Sequence, residues 1–192
     1  LRTLTGGITS SADATINSIT VGRGANSVAG NTVLGENALD ASVTGGNIVA
    51  IGNSCLTTNT SGDKNTAVGS LSTDANTTGS FNAAFGYGSL TANTTANNNT
   101  ALGYAAMFTN TTGANNVAVG GNALYYNSTA SNNTAVGYNA LVSNTTGQQQ
   151  VAVGGLALDA ATTGDLNTAV GYQAMSSATT AHSSVAVGNA AL

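Results

Sequence analysis

The chain has 192 residues, of which three are Lys or Arg and seven are Asp or Glu, so its net charge at neutral pH is −4. It therefore lacks the basic stripe that neutralises phosphates, which excludes nucleic acid as a partner. No run approaches the roughly 18 consecutive apolar residues of a membrane helix, so we expect no membrane insertion. The hydrophobic share of 41% is mostly alanine, valine and leucine, which predicts a thin, repetitive core rather than disorder.

A glycine that ends a small apolar strand recurs along nearly the whole chain. Residues 1–17 precede the first such strand, and we interpret them as a segment that leads into the repeat domain or caps it. The repeat domain spans residues 18–192 and begins with a short unit, because Gly22 lies only 13 residues before Gly35. From Gly35 onward the interval is always 17 residues. These anchor glycines are Gly35, Gly52, Gly69, Gly86, Gly103, Gly120, Gly137, Gly154, Gly171 and Gly188.

The 17-residue unit reads N-[TV]-A-[VL]-G-x-x-A-L-x-x-N-T-T-G-x-x. Leucine or methionine lies four residues after the anchor glycine, with Thr73 as the exception. The recurring glycines disfavour a helix, because each costs about 1 kcal/mol relative to alanine in a helix interior. Leucine-rich repeats are longer, at about 20 to 29 residues, and contain several leucines. We therefore predict an all-β fold: a parallel β-solenoid, or β-roll, with one 17-residue coil per repeat.

Each coil is predicted to contain a strand at "NTAVG", a corner at the anchor glycine, a second short strand around "AL" and a turn at "NTTG". The asparagines of that turn would stack into a ladder of side-chain amides. They are Asn59, Asn76, Asn93, Asn110, Asn127 and Asn144. Because the last coil is incomplete at Leu192, we expect the natural protein to continue.

Neither face of the predicted "TAV" strand is strongly polar. The valine and the Thr or Val two residues earlier share one face, and the alanine lies on the other. We expect valine and leucine to fill the interior of the coil and alanine to let neighbouring chains approach closely. So few large apolar side chains per coil do not offset the entropy of ordering 17 residues. The sequence therefore predicts lateral packing of several chains side by side.

The residues that could carry chemistry are sparse. Residues 17 positions apart occupy the same position in successive coils, and we call such a set a column. His182 lies in the same column as Asp165, one coil later, and we interpret the two as an exposed polar pair. Cys55 replaces a column alanine and is interpreted as a small buried thiol. No nucleophile, base and orienting group come together. We therefore predict neither an enzyme nor a cofactor or metal site.

The threonines and tyrosines repeat with the coils. Asn-Thr-[Thr/Ser] tripeptides, such as those that begin at Asn59, Asn76, Asn110 and Asn144, match the glycosylation sequon, although turn formation already accounts for them. An ice-binding threonine array is a further alternative. The tyrosines after the anchor glycine alternate with glycine in a 34-residue period from Tyr104 onward. We expect each ring to pack over a glycine of the adjacent coil.

Three aromatic residues interrupt columns that otherwise hold mainly Asp, Thr, Ser and Ala. They are Phe108, Tyr125 and Tyr126. Aromatic side chains at a surface can stack on sugars or anchor an interface. These three residues are therefore the candidate contact site for a ligand or a neighbouring chain.

The repeats resemble known fibre sequences. "NIVAIG" at residues 47–52, "NTAVG" at 65–69 and "NVAVG" at 116–120 are similar to head repeats of trimeric autotransporter adhesins, which form a left-handed parallel β-roll trimer. Residues 16–39 and the "NTAVGYNALVSNTTG" unit at 133–147 more closely resemble repeat regions of phage tail fibres, especially from marine and cyanobacterial phages.

The resemblance to tail fibres implies a structural shaft of a phage tail fibre or related surface appendage that supports host attachment. Such a shaft would be a homotrimer located on a virion or on an extracellular cell surface. The alternatives are the head of a bacterial trimeric adhesin and a solenoid whose lateral surface binds host glycans.

Overall fold

The computed structural model describes residues 13–192. Its strands are short, and all of them belong to one twelve-stranded sheet in which neighbours follow chain order. A 3₁₀ turn at Ala25–Ser27 separates the second strand from the third. The strands are β1 Ala14–Ile16, β2 Ile19–Gly22, β3 Thr32–Gly35, β4 Val49–Ile51, β5 Thr66–Val68, β6 Ala83–Phe85, β7 Thr100–Leu102, β8 Val117–Val119, β9 Thr134–Val136, β10 Val151–Val153, β11 Thr168–Val170 and β12 Val185–Val187.

From β3 to β12 every neighbouring pair of strands is parallel. Each residue pairs with the residue 17 positions further along the chain, as Ala135 does with Ala152. The predicted all-β solenoid with one 17-residue coil per repeat is therefore confirmed. The register places each sequence column in a straight row along the solenoid.

The first strands depart from the predicted short coil. β1 and β2 form an antiparallel hairpin through Asn17 and Ser18, whose φ angles are both positive, and β2 pairs antiparallel with β3. The 13-residue interval before Gly35 is too short for a complete coil, so the chain reverses. Of the expected leading segment, residues 1–17, residues 1–12 lie outside the described part of the chain.

The second strand expected around "AL" does not form. Leu56 has a φ of 52° and lies in a turn. Both Cys55 and Leu56 are fully buried, whereas consecutive residues of a strand point to opposite faces. The backbone therefore turns so that both side chains enter the core. Pairing between coils nevertheless continues, since the Leu56 N–H donates to the Ser72 carbonyl at 3.1 Å.

The strand faces are also opposite to the expectation. From β4 to β12 the central alanine of each strand is buried, as Ala135 is, while the residue before the anchor glycine points outward. The valines in that position are 36% exposed at Val153 and 37% at Val170. Because the narrow interior of a regular coil already holds a leucine or methionine, a second small residue and two polar side chains, the small alanine occupies the inner strand face from β4 onward. In β3, where the chain reverses, Val33 takes this position.

The predicted asparagine ladder is confirmed. All six asparagines are fully buried, and from Asn76 onward the Nδ2 of each donates to the Oδ1 of the asparagine one coil earlier, in five bonds of 2.7 to 3.3 Å. Each Nδ2 also donates to a carbonyl three residues ahead in its own turn, as Asn110 does to Gly113 at 2.9 Å. The ladder thus satisfies buried polar groups within and between coils.

A second asparagine column, which the sequence analysis did not identify as buried, precedes the strands. Asn99 accepts from the Asn116 N–H at 2.9 Å and donates to the Gly113 carbonyl at 2.8 Å. The same geometry recurs in neighbouring coils, as at Asn116 and Asn133. The first N of "NTAVG" is therefore an internal connector between coils rather than a surface residue.

Candidate functional site

The outward side of the parallel sheet is an exposed surface that runs along the solenoid. We call it the strand face: the first and third residues of the segments Thr32–Leu34, Val49–Ile51 and their equivalents to β12. No residue of this face carries a formal charge. Leu102 is 47% exposed and Val187 is 70% exposed. At about 4.8 Å per coil, the strand face is about 40 Å long and about 10 Å wide.

A stripe of tyrosines borders the strand face. The Tyr138 ring lies over Gly121 of the preceding coil, where a β carbon would be 3.5 Å from Cδ2 of the ring. Tyr172 covers Gly155 in the same way, so the expected packing of ring over glycine is confirmed. Where two tyrosines follow each other, at Tyr87 and Tyr104, the rings stack with centroids 5.7 Å apart. The stripe widens the apolar surface next to the sheet.

The three column-breaking aromatic residues form one cluster. Phe108 and Tyr125 stack in adjacent coils with centroids 5.2 Å apart and planes within 7°. Tyr125 meets Tyr126 edge to face at 4.7 Å. Phe108 and Tyr125 are half-buried, and Tyr126 is 54% exposed. The structure therefore brings the three predicted contact residues together.

A shallow depression of about 180 Å³ adjoins this cluster. It is lined by Asn122, Tyr125, Tyr126, Asn139 and Val142. Asn122 Nδ2 donates to Asn139 Oδ1 at 3.1 Å, which holds the two amides side by side in neighbouring coils. Sequence reasoning identified the tyrosines but not the asparagines. The two asparagines could have been predicted to be neighbours because each lies two residues after an anchor glycine and therefore in the same column.

The remaining polar candidates are the pair of His182 and Asp165, and Cys55. His182 Nδ1 accepts from the Asp165 N–H at 3.1 Å and lies 3.9 Å from Asp165 Oδ2, and both side chains are exposed. This arrangement confirms the predicted polar pair. Burial raises the pKa of the Cys55 thiol to about 12, and its Sγ lies 3.2 Å from the Ala67 carbonyl. Cys55 is therefore an inert, buried thiol, as expected.

The carboxylates on the solenoid remain scattered. Asp63 pairs with Lys64 at 3.3 Å, and its pKa is lowered, first by a hydrogen bond from Ser80 and then by Lys64. Lys64 Nζ also lies 4.7 Å from the centre of the Phe81 ring. Desolvation raises the pKa of Asp159, six coils away from Asp63 in a different column. Residues 13–192 contain no cluster of three or more His, Cys, Asp or Glu side chains that could hold a metal ion.

The structure also explains the sequon-like tripeptides. The asparagines at 59, 76, 110 and 144 are fully buried members of the ladder, so the folded chain does not present their amides to a glycosylating enzyme. The threonine that follows each one donates its Oγ1 to a carbonyl of the next coil, as Thr77 does to Thr94 at 3.0 Å. These hydroxyls are thus used for contacts between coils.

Comparison with protein-family models, with curated proteins and with solved structures found no match to this chain. Within the described residues, no helix has the length and apolar character needed to cross a membrane. The features available for a functional conclusion are therefore the solenoid, its strand face and the aromatic cluster.

Proposed function

We propose that the chain is a structural shaft segment of a phage tail fibre or a related surface appendage, in which three copies pack side by side. The observation that carries this proposal is the uncharged strand face, which extends along the whole parallel solenoid. Together with the tyrosine stripe it forms a continuous exposed surface with large apolar side chains, such as Leu102 and Val187, and a surface of this kind is typical of an interaction site. Burial against other copies would remove this surface from water.

The internal construction of the solenoid supports a mechanical role. Backbone hydrogen bonds, the asparagine ladder and the second asparagine column all run between coils. Bending the rod would stretch several of these rows at once, so the coils resist deformation. A stiff rod of this kind would hold a host-contacting domain away from the body that carries it, on a virion or an extracellular cell surface.

Light scattering coupled to size-exclusion chromatography tests the assembly directly. We expect a mass three times the 18.6 kDa of one chain. Val136→Glu would place a charge in the middle of the strand face and should shift the mass to that of a single chain. Thr112→Glu is the matched control, because Thr112 is exposed on a different side of the coil. A folded wild-type chain that stays monomeric would contradict the proposal.

Negative-stain electron microscopy tests the shaft itself. The expected particles are straight rods whose long axis matches the stacked coils, about 40 to 50 Å for this segment. If the Val136→Glu particles are as long as the wild-type rods but narrower, complete solenoids pack side by side in the wild type.

A further inference from the structure

We infer that the depression beside the aromatic cluster binds a neutral sugar ring. The chemistry of its lining carries this inference, which is independent of the shaft role. Tyr125 and Tyr126 offer aromatic rings with polar hydroxyl tips, and Asn122 and Asn139 offer amides. A pyranose has an apolar face of C–H groups and an edge of hydroxyl groups. The aromatic rings suit the C–H face, and the amides suit the hydroxyl groups.

The amide pair keeps hydrogen-bonding capacity for a ligand. Asn122 and Asn139 share one hydrogen bond, from Nδ2 of the first to Oδ1 of the second. Within the described residues, neither the Asn122 Oδ1 nor the Asn139 Nδ2 has a hydrogen-bond partner. One acceptor and one donor therefore remain available, which is the combination that a sugar hydroxyl pair requires.

The size and charge of the depression restrict the ligand class. Its volume of about 180 Å³ is below the roughly 300 to 1,000 Å³ of sites for drug-sized ligands, so it accommodates one ring rather than a large molecule. None of its five lining residues carries a charge. The site therefore suits a neutral hexose or N-acetylhexosamine better than a phosphorylated or acidic sugar.

The sequence columns show that the cluster is an addition to the coil and not part of its construction. The column of Tyr126 holds Ala75, Ala92 and Ala160 in other coils, and the column of Tyr125 holds Thr91. The solenoid therefore forms without aromatic residues at these positions. The coils from Phe108 to Val142 bring the rings and the depression together.

Saturation-transfer NMR with glucose, galactose, mannose and N-acetylglucosamine, each tested alone, examines this inference on the complete chain. We expect transfer to at least one sugar, with a Kd on the order of 1 mM because a single ring buries few atoms. Tyr126→Ala should weaken that binding at least tenfold, while Tyr126→Phe, which keeps the ring, should lose much less. Tyr104→Ala, on the tyrosine stripe, should bind like the wild type.

Three results would overturn the inference. The first is the absence of transfer to all four sugars. The second is transfer that Tyr126→Ala and Tyr104→Ala reduce equally, which places binding elsewhere or makes it nonspecific. The third is a lower mass of Tyr126→Ala in light scattering, which identifies the cluster as a contact between copies. Because alanine already occupies this column in other coils, Tyr126→Ala should fold, and an unchanged unfolding midpoint verifies that it does.

Discussion

At the scale of single residues, stacking of the coils depends on positions where the backbones are too close to leave space for a β carbon. The anchor glycines show this most clearly. Gly137 has a φ of 138°, and a β carbon there would collide with the carbonyl of Gly154 in the next coil. Gly121 belongs to the tyrosine column instead, where a β carbon would meet only the Tyr138 ring, at 3.5 Å.

Gly137→Ala should therefore destabilise the protein much more than Gly121→Ala. Backbone strain and collision together predict a loss of about 2 to 5 kcal/mol in the free energy of unfolding for Gly137→Ala. Gly121→Ala should change it by less than about 0.5 kcal/mol, as a surface substitution does. Urea denaturation followed by circular dichroism measures both values. Equal losses would show that stacking does not depend on the anchor glycine.

The thiol of Cys55 provides a second test at this scale. Its pKa rises from 9.0 to about 12, mainly through desolvation by burial, so the folded protein keeps the neutral thiol at pH 8. Labelling with a disulfide reagent at pH 8 should be slow in the native protein and fast in urea. Because the folded pKa is the raised one, the neutral thiol contributes its full stability below pH 9. That contribution declines as the pH rises from 9 to about 12. Native labelling as fast as in urea would contradict the buried position.

At the scale of elements, the asparagine ladder connects six coils and needs a defined end. The column continues as Ala161, which cannot donate to Asn144. At this point Gln150 replaces the asparagine of the second column, and its longer side chain donates Nε2 to Asn144 Oδ1 at 3.0 Å. The Oε1 of Gln150 accepts from Asn167 at 3.2 Å, so one glutamine connects the two columns.

Removing a ladder member should cost more in the middle than at this end. Asn110→Ala removes hydrogen bonds to Asn93, Gly113 and Asn127 and leaves a buried void, which predicts a loss of about 2 to 4 kcal/mol. Gln150→Asn removes mainly the bond to Asn144 and should cost about 1 kcal/mol. Thermal and urea unfolding give both values. Similar losses for the two variants would contradict an end-capping role for Gln150.

At the scale of the whole molecule, the apolar core is divided in two. One cluster extends from Val33 to Ala67 and the other from Ala84 to Ala186. Between them lie the buried hydroxyls of Ser72 and Ser89, 3.0 Å apart, and Thr73, which occupies the leucine column. Thr73 Oγ1 is buried and has no hydrogen-bond partner among the described residues. Apolar packing between coils is therefore interrupted at this coil.

Thr73→Leu should join the two clusters. It replaces a hydroxyl without a partner with the side chain that the column carries at Leu56 and Leu90, so the free energy of unfolding should rise by about 1 to 3 kcal/mol. The reverse change in a regular coil, Leu90→Thr, should lower it. Urea denaturation should also show a sharper single transition for Thr73→Leu, because neighbouring coils become more strongly coupled. A loss of stability in Thr73→Leu would indicate that the coil cannot accept the larger side chain.

The repeat could be predicted from the sequence because the register between adjacent strands of a solenoid equals the number of residues in one coil. Seventeen-residue intervals between glycines predicted one coil per unit, and asparagines in one column predicted the amide ladder. The adjacency of Phe108 and Tyr125 follows from the same arithmetic. Columns determine which residues are neighbours, so this information needs no knowledge of the path that the chain takes within a coil.

The tertiary structure alone decided which side of each column faces inward. From β4 to β12 the central residue of each strand is alanine, and its neighbours in the strand are mostly the larger Val or Thr; hydrophobicity alone would favour valine for the core. The cross-section of a regular 17-residue coil is already occupied by leucine and buried amides, so alanine lies inside and valine lies outside. The same limit on space turns Leu56 into a left-handed turn residue and places Asn122 and Asn139 beside Tyr126. The spacing of residues along the chain thus determined which residues are neighbours in adjacent coils. The volume enclosed by the coil determined which side chains point inward and which point outward.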